Sequence, residues 1–372
     1  MMEIKARSFA RAGFLGNPSD GYFGKTISFT FREFGVDLTL RESEKMTFVP
    51  GEVDDARFDS PEQLVRDVRL YGYYGGIRML KATAKVFFEY CMEHGIVLAS
   101  RNFTAEYKIN IPRLVGLSGS SAICSAMFKA LKRFYGVEIP EELGPTLVMA
   151  AEKDELGIAC GLQDRVAQMY NGLVFMDFER SLVESAGHGR YERLYPVPGS
   201  TGADSRAFLP NLYVAYDPTR AEESGKAHKQ VKRLFEQRNS DVLAAMSEFA
   251  DIAQQGREIL LARFADRLAG RSVASCDAKL SKLINANFDL RDRIFNVAEE
   301  NRRMVMTARS TGASAKFAGS GGAIVGTFED DAQFARLSEA LSGIGCRAFR
   351  PTVANTEDED SDLVDVGKWR NS

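Results

Sequence analysis

Residues 111–122 read Ile111-Pro112-Arg113-Leu114-Val115-Gly116-Leu117-Ser118-Gly119-Ser120-Ser121-Ala122, a run of small residues delivered straight into an apolar-periodic segment. In that segment Ala122, Ile123, Ala126, Met127, Ala130, Leu131 and Phe134 recur at helical spacing, the pattern of an amphipathic helix with one face in a core. Glycine and serine ahead of a helix start leave backbone N–H groups bare, add little bulk and sit at the positive end of the helix dipole. Those are the requirements for holding a phosphate group. No G-x-x-x-x-G-K-[ST] signature and no closing lysine is present, so the loop is not a Walker-type P-loop. Its glycine spacing is not that of a dinucleotide fingerprint either.

Outward from this loop, Phe103, Ala105, Tyr107 and Ile109 alternate and predict the strand that leads into it. Earlier, Ile27, Phe29 and Phe31 alternate with Ser28 and Thr30, and Val36, Leu38 and Leu40 follow suit. These predict two strands, each with one buried face. Ser60-Pro61-Glu62-Gln63 reads as a helix start, and Ile77, Leu80, Ala84, Phe87, Phe88 and Cys91 predict a helix that stops at His94-Gly95. Beyond the loop the pattern predicts helices over 122–134, 140–157 and 163–170, then a strand over 173–178. Residues 181–207, richer in Gly, Pro, Ser and charge, read as a domain boundary. Long helical segments follow near 225–238, 241–268 and 277–309, with strands near 315–318, 322–328 and 346–350. The acidic cluster at 357–362 predicts a solvated, mobile tail. The expected organisation is α+β with two domains, 1–200 and 201–355, and a tail over 356–372.

A chain of 372 residues accommodates two domains at roughly 100–200 residues each. A formal net charge of -3 and the lack of a basic stripe argue against nucleic acid or acidic membranes as partners. Cys91, Cys124, Cys160, Cys276 and Cys346 are scattered without a C-x-x-C pair, as expected of reduced thiols rather than disulfides or metal ligands. His94, His188 and His228 form no metal-spaced pair. The charged N-terminus does not read as a signal peptide, and no window suits a membrane span. A soluble cytoplasmic protein, monomer or homodimer, is the expectation.

Two further small-residue clusters stand out. Ala318-Gly319-Ser320-Gly321-Gly322-Ala323 links two short apolar strands; it is either a hairpin turn or a place where backbone closely approaches a ligand. Gly13-Phe14-Leu15-Gly16-Asn17-Pro18-Ser19-Asp20 forms a polar bend after the first strand. Asp164, at the start of a short helix, reads equally as an ordinary first-turn acid or a functional one. Glu152, near a helix end, stands where the dipole does not favour an acid.

The three clusters, in this order and at these separations, resemble the motifs of the GHMP small-molecule kinases. Pro112 through Gly116-Leu117-Ser118-Gly119-Ser120-Ser121-Ala122 is similar to that family's P-x-x-x-G-L-G-S-S-A loop with one residue inserted. Ala151-Glu152 through Cys160-Gly161-Leu162-Gln163-Asp164 resembles its A-E…C-G-x-x-D segment, and Arg11, Gly16 and Asp20 fall on R-x-x-x-x-G-x-x-x-D. Within the family the chain resembles the plant-type glucuronokinase branch. It shares A-R-x-G-x-L-G-N-P-S-D-x-Y-F-G, G-Y-Y-G-G, G-L-S-G-S-S-A, G-L-Q-D-R-V-A-Q and S-G-K-x-H, and Gly119 matches that branch.

The resemblance implies an N-terminal β-α domain, a C-terminal ferredoxin-like α+β domain and an active site in the cleft between them. It implies transfer of the ATP γ-phosphoryl to the anomeric hydroxyl of a sugar acid, D-glucuronate giving D-glucuronate 1-phosphate. The loop from Gly116 to Ala122 would hold ATP, with Ser121 and Glu152 as Mg²⁺ ligands. Asp164 would be the base and Arg11 its partner, while Asn17, Asp20, Lys226, Gly319, Ser320, Gly321 and Gly322 would contact the sugar. Lys226, Arg165 and Arg113 are candidates for the substrate carboxylate. Tyr71, Tyr73 and Tyr74 would flank adenine or form a core turn. The alternatives are a kinase for galacturonate or a galactose-like sugar, a non-catalytic sugar and ATP sensor, and an RNA-binding module.

Overall fold

The computed structural model describes residues 2–51, 54, 60–61, 75–196, 208–219 and 225–359, with backbone alone at 225–229. The first sheet is organised on one long strand. β1 (Glu3–Leu15) pairs antiparallel along one edge of β2 (Lys25–Ser43). On the other edge, β4 (Asn102–Ile109) pairs with residues 36–43 of β2 and β5 (Leu173–Asp177) with residues 25–29. β3 (Thr47–Phe48) and β6 (Arg190–Tyr195) complete the sheet.

The two strands expected over 27–40 are therefore one continuous strand. It is also buried on both faces, not one: Ser28 and Thr30 are as inaccessible as Ile27 and Phe29. The reason is distant in sequence. α1 (Gly76–Glu93), α2 (Gly119–Tyr135) and α4 (Gln163–Tyr170) come from the first half, and α2 and α4 pack on β1 and β2. α7 (Ser240–Leu268), from the second half, also packs on β2. A helix ending at Gly136, in the left-handed conformation that releases a helix C-terminus, closes α2 as its sequence predicts.

The predicted helix over 140–157 is α3 (Gly144–Ala150) continued by a π turn, Ala151–Glu155. The stretch read as a boundary carries α5 (Arg180–Ala186) and β6, the edge strand of the first sheet. Its residues 197–207 lie outside the described residues, as do Tyr71, Tyr73 and Tyr74 and most of the helix expected after Ser60.

The second sheet has the order β10-β7-β9-β8, all antiparallel, built from β7 (Leu212–Tyr216), β8 (Lys316–Phe317), β9 (Ala323–Thr327) and β10 (Arg347–Phe349). Between β7 and β8 run α6 (Gly225–Glu236), α7, α8 (Ala274–Ile294) and α9 (Glu299–Ser310). α10 (Asp331–Ser342) joins β9 to β10. This is the β-α-β-β-α-β order of a ferredoxin-like unit. The single helix expected over 277–309 breaks at Phe295, which turns extended and buries its ring together with Val297.

The C-terminal segment returns to the first sheet. Val353 bridges Phe31, Arg32 N–H donates to Thr352 O (2.9 Å) and Ala354 N–H to Thr30 O (2.9 Å). The tail expected to be solvated from 356 onward instead begins as a docked 3-10 turn, Thr356–Glu359, with Asp358 buried. Among the described residues no helix is long and apolar enough to cross a membrane.

The two halves meet at Gly16. Its φ of +82° is left-handed, a Cβ there would fall 2.2 Å from Lys25 O and 2.7 Å from the Ala253 Cβ of α7, and its N–H donates to Asn287 Oδ1 of α8 (2.6 Å). Gly16→Ala combines backbone strain with overpacking and is expected to destabilise the fold by about 2–4 kcal/mol. Thermal and urea unfolding check this; an unchanged midpoint would overturn it.

Candidate active site

Arg11 projects from the middle of β1 and is almost wholly buried. Backbone bonds from the same strand fix its neighbours: Arg11 N–H donates to Leu117 O (3.3 Å) and Gly13 N–H to Ala318 O (2.7 Å). The guanidinium then gathers three distant segments. Nη1 donates to Ala318 O (2.5 Å) and lies 3.5 Å from Gly116 O, while Nη2 donates to Asp164 Oδ1 (2.5 Å). A planar fork of five donors suits such a junction better than any other cation.

The small residues around this junction are there for two different reasons. Gly116 (φ +75°) and Gly319 are required by loop-on-loop packing: their Cβ positions would lie 2.6 Å from Gly321 O and 2.2 Å from Gly116 O, respectively. Gly322 (φ +75°) similarly abuts Val115, with 3.0 Å from a Cβ to Val115 Cα. Gly119 is different. It has no positive φ, and a Cβ there would meet nothing nearer than Ile111 at 3.6 Å. Its bareness is not demanded by the protein's own packing, so the protein itself leaves this position of the first turn open.

The helix also begins earlier than its apolar periodicity indicates. Ser118, in a left-handed conformation, is the N-cap, and Gly119, Ser120 and Ser121 form the first turn of α2. Their N–H groups are among those a helix cannot bond internally, and they point where the dipole favours an anion. Ser118 O accepts from Ala122 N–H (3.0 Å) and from Gln168 Nε2 (3.0 Å), which ties the loop to α4. Leu117 and Ser121 are buried, and Ser120 is half-buried.

Three carboxylates lie in distinct settings. Asp164, in the first turn of α4, keeps 22 % side-chain exposure. Burial would raise its pKa, yet the charges of Arg11 and Arg165 outweigh that and hold it below the ordinary carboxylate value. Asp20, in the turn Ser19–Tyr22, accepts from Gln163 N–H (3.4 Å), and Gly161 leaves room for it, since a Cβ there would fall 2.2 Å from Asp20 Oδ2. Burial, reinforced by the charge of Asp164, pushes Asp20 up to about 6. Glu152, in the π turn, is fully buried; its Oε2 accepts from both Nε (2.7 Å) and Nη2 of Arg165. Glu152 Oε1 is buried without a hydrogen-bond partner.

Of the cations considered for a substrate carboxylate, Arg165 is corrected by this geometry. Its guanidinium is engaged by Glu152, by Gly161 O (2.8 Å) and, at 3.6 Å, by Asp164. Arg113 is exposed. Lys226 falls in the first turn of α6, and its side chain lies outside the described residues.

Two buried cations of the site lie outside the residues singled out from sequence. Lys316 of β8 donates to Gly13 O (2.6 Å), Phe317 O (2.9 Å) and Asn17 Oδ1, three neutral oxygens. Burial, with Arg291 and Arg11 nearby, drives its pKa well below the usual lysine value. Arg291 of α8 donates to Gly319 O and Ser320 O (2.9 Å each) and stacks on Phe317. A lysine between Ala315 and Phe317, one strand ahead of the glycine cluster, was a readable signal; Arg291 sits in a charge-rich helix and offered none.

The family model described as "GHMP kinases N terminal domain" matches residues 78–172. The chain is 42% identical over 328 residues to Glucuronokinase 1 of Arabidopsis thaliana, covering 87% of this chain and 84% of that protein. It is 44% identical over 326 residues to Probable glucuronokinase 2 of the same plant, covering 86% and 82%. Among solved structures, galactokinase of Lactococcus lactis superposes with a TM-score of 0.69 at 14% identity, covering 95% of this chain and 94% of that one. At that identity the likeness concerns the fold.

The raised pKa of Asp20 has a cost in stability. Its ordinary value is 3.8 and its folded value about 6, so the protein loses stability as pH rises through this window, where the fold resists ionisation. Asp20→Asn, which keeps an acceptor for Gln163 N–H, should stabilise the free protein at pH 7.5 by up to about 3 kcal/mol. The gain should vanish below pH 4. Urea unfolding at the two pH values checks this, and equal stability of both proteins at pH 7.5 would overturn it.

Proposed function

The chain belongs to the GHMP kinase family, and from that premise we propose that it phosphorylates a sugar acid at its anomeric hydroxyl. The reaction proposed converts D-glucuronate and ATP to D-glucuronate 1-phosphate and ADP. The substrate is inferred from the glucuronokinases to which the chain is 42% and 44% identical. The observation that carries the chemistry is the convergence of Asp164, Gly116 O and Ala318 O on the single guanidinium of Arg11.

ATP phosphates are proposed to lie against the N–H groups of Gly119, Ser120 and Ser121, with the α2 dipole opposing their charge. Glu152 Oε1, buried and unpartnered, and the Ser121 hydroxyl are hard oxygen donors that fit Mg²⁺. The ion would neutralise charge on the β- and γ-phosphates. Asp164 accepts a hydrogen bond from the sugar hydroxyl. A carboxylate held below its ordinary pKa is a weak base, so it first orients the nucleophile. It takes the proton as the new O–P bond forms, the bridging bond to ADP breaks and the hydroxyl acidifies. Arg11 stabilises both the carboxylate and the charge on the γ-phosphoryl group. Asn17 and Asp20, on the loop after β1, together with the backbone at 319–322, are assigned to the sugar. Five reduced cysteines fit a cytoplasmic setting, where the enzyme would act as a monomer or homodimer.

Two measurements test this reading. An ADP-release assay over glucuronate, galacturonate, glucose, galactose and mevalonate should give its highest kcat/KM with glucuronate. Turnover of galactose with none on either uronate would reject the substrate assignment. Asp164→Asn should lower kcat by ~10²–10⁴ while changing the KM for ATP little, and full turnover by that variant would remove Asp164 from the chemistry.

A further inference from the structure

Further along α2 from the phosphate loop stands Lys129, a lysine only 7 % exposed. Its ammonium donates to Gln168 O of α4 (2.6 Å) and pairs with Glu359, the last residue of the docked C-terminal turn. Glu359 Oε1 also accepts from Asn171 Nδ2 (2.5 Å), just past the end of α4, and its Oε2 lies 3.3 Å from Arg133 of α2. The turn is held in place independently. Arg32 of β2 pairs with Asp358 (2.6 Å), and Asn355 and Asp358 exchange backbone-to-side-chain bonds of 2.8 and 3.0 Å.

From this cluster a short path leads to the site. Gln168, whose backbone carbonyl accepts a hydrogen bond from Lys129, donates through its Nε2 to Ser118 O (3.0 Å) and to Phe9 O (3.1 Å). Ser118 caps the phosphate-loop helix, Phe9 lies two residues before Arg11, and Gln168 is one turn beyond Asp164 on α4. The three elements that carry the proposed reacting groups thus meet at Gln168, whose backbone carbonyl is bonded to the buried ion pair. Burial pushes the Lys129 pKa down, and the charge of Glu359 works against that shift. Without its carboxylate, Lys129 would be a desolvated charge facing carbonyls, and α2 and α4 would lose their common anchor.

We propose that Glu359 is a positioning residue for phosphoryl transfer: paired with Lys129, it sets the spacing between the phosphate loop and the helix that carries Asp164. The C-terminal segment is then part of the catalytic framework, although it touches no reacting atom. The inference rests on the kinase reading of the site for its kinetic readout. Misplacement of reacting groups by about an ångström lowers turnover by up to ~10²-fold.

The test uses the full-length chain with Glu359→Gln, Gln168→Leu, their combination, and Lys129→Met/Glu359→Gln. Glu359→Gln is expected to lower kcat about tenfold per folded molecule, with both KM values within threefold of wild type. Gln168→Leu should do the same, and the combination should be no worse than either alone, as for two links of one path. Lys129→Met/Glu359→Gln removes the buried charge and should regain thermal stability while kcat stays about tenfold low. Recovery of full kcat along with stability would show charge burial alone and overturn the proposal, as would additive losses. Amide exchange at residues 116–121 gives a readout free of turnover. It should quicken at least tenfold in Glu359→Gln, and unchanged exchange would also overturn the proposal. Faster exchange in a protein that phosphorylates no uronate would leave this proposal standing and reject the substrate reading.

Discussion

A guanidinium taken out of water must find its compensation in its own plane, and for Arg11 the two terminal nitrogens meet Asp164, Ala318 O and Gly116 O, while Nε is buried without a partner. Removing Asp164 would leave a desolvated charge without its counter-charge, which proteins tolerate poorly. Much of the local sequence follows from this demand. Gly319 has room for no side chain, because its Cβ would lie 3.2 Å from Arg11 Nη1 as well as 2.2 Å from Gly116 O. Gly13 is confined likewise, by Ala318 O at 2.9 Å and by the Asn17 side chain. The small-residue clusters are spaced far apart along the chain and brought together by one charge.

That charge also separates the roles of the carboxylates. Asp164 and Asp20 are near enough for each to feel the other, but only Asp164 is in direct contact with Arg11. Asp164 is held below its ordinary pKa by Arg11 and Arg165 against its own burial, while burial, with the charge of Asp164, carries Asp20 up to about 6. Under the proposed reaction, the lowered value keeps Asp164 ionised toward the reacting hydroxyl. Glu152 is removed from this competition by Arg165, which shields it while leaving one oxygen unbonded.

Local signals were legible in the sequence where their cause is local. Gly136 closes α2, and Gln163–Tyr170 forms the short helix its periodicity predicts. The glycine clusters, Asp164 and Arg11 do come together. What sequence could not convey are consequences of partners far along the chain. Ser28 and Thr30 alternate with apolar residues as if facing water, yet helices from both halves of the protein cover β2. Phe295 continues a helical periodicity and still leaves the helix, because its ring has a buried place to fill. Glu357, Asp358 and Glu359 read as a solvated acidic run, but Arg32 and Lys129 wait for two of them on the first sheet and its helix. Composition conveys the charge of such residues and nothing about its counter-charge.

The same accounting applies to the other buried cations of a chain whose formal net charge is -3. Arg11 and Arg165 are matched by Asp164 and Glu152, but Lys316 is met by three neutral oxygens. With no carboxylate beside it among the described residues, Lys316 is held by hydrogen bonds alone, and burial, with Arg291 and Arg11 nearby, drives its pKa well below the usual lysine value. Lys316 also orients the Asn17 amide: with Oδ1 engaged by Lys316 Nζ, the amide retains its NH₂ end, a donor. Under the proposed reaction, this donor and the bare amides of the first turn of α2 face a uronate and a polyphosphate, both of which are acceptors. The Lys316 hydrogen bonds thereby fix Asn17 from the protein's own side, so that whatever meets its amide meets a donor already in place.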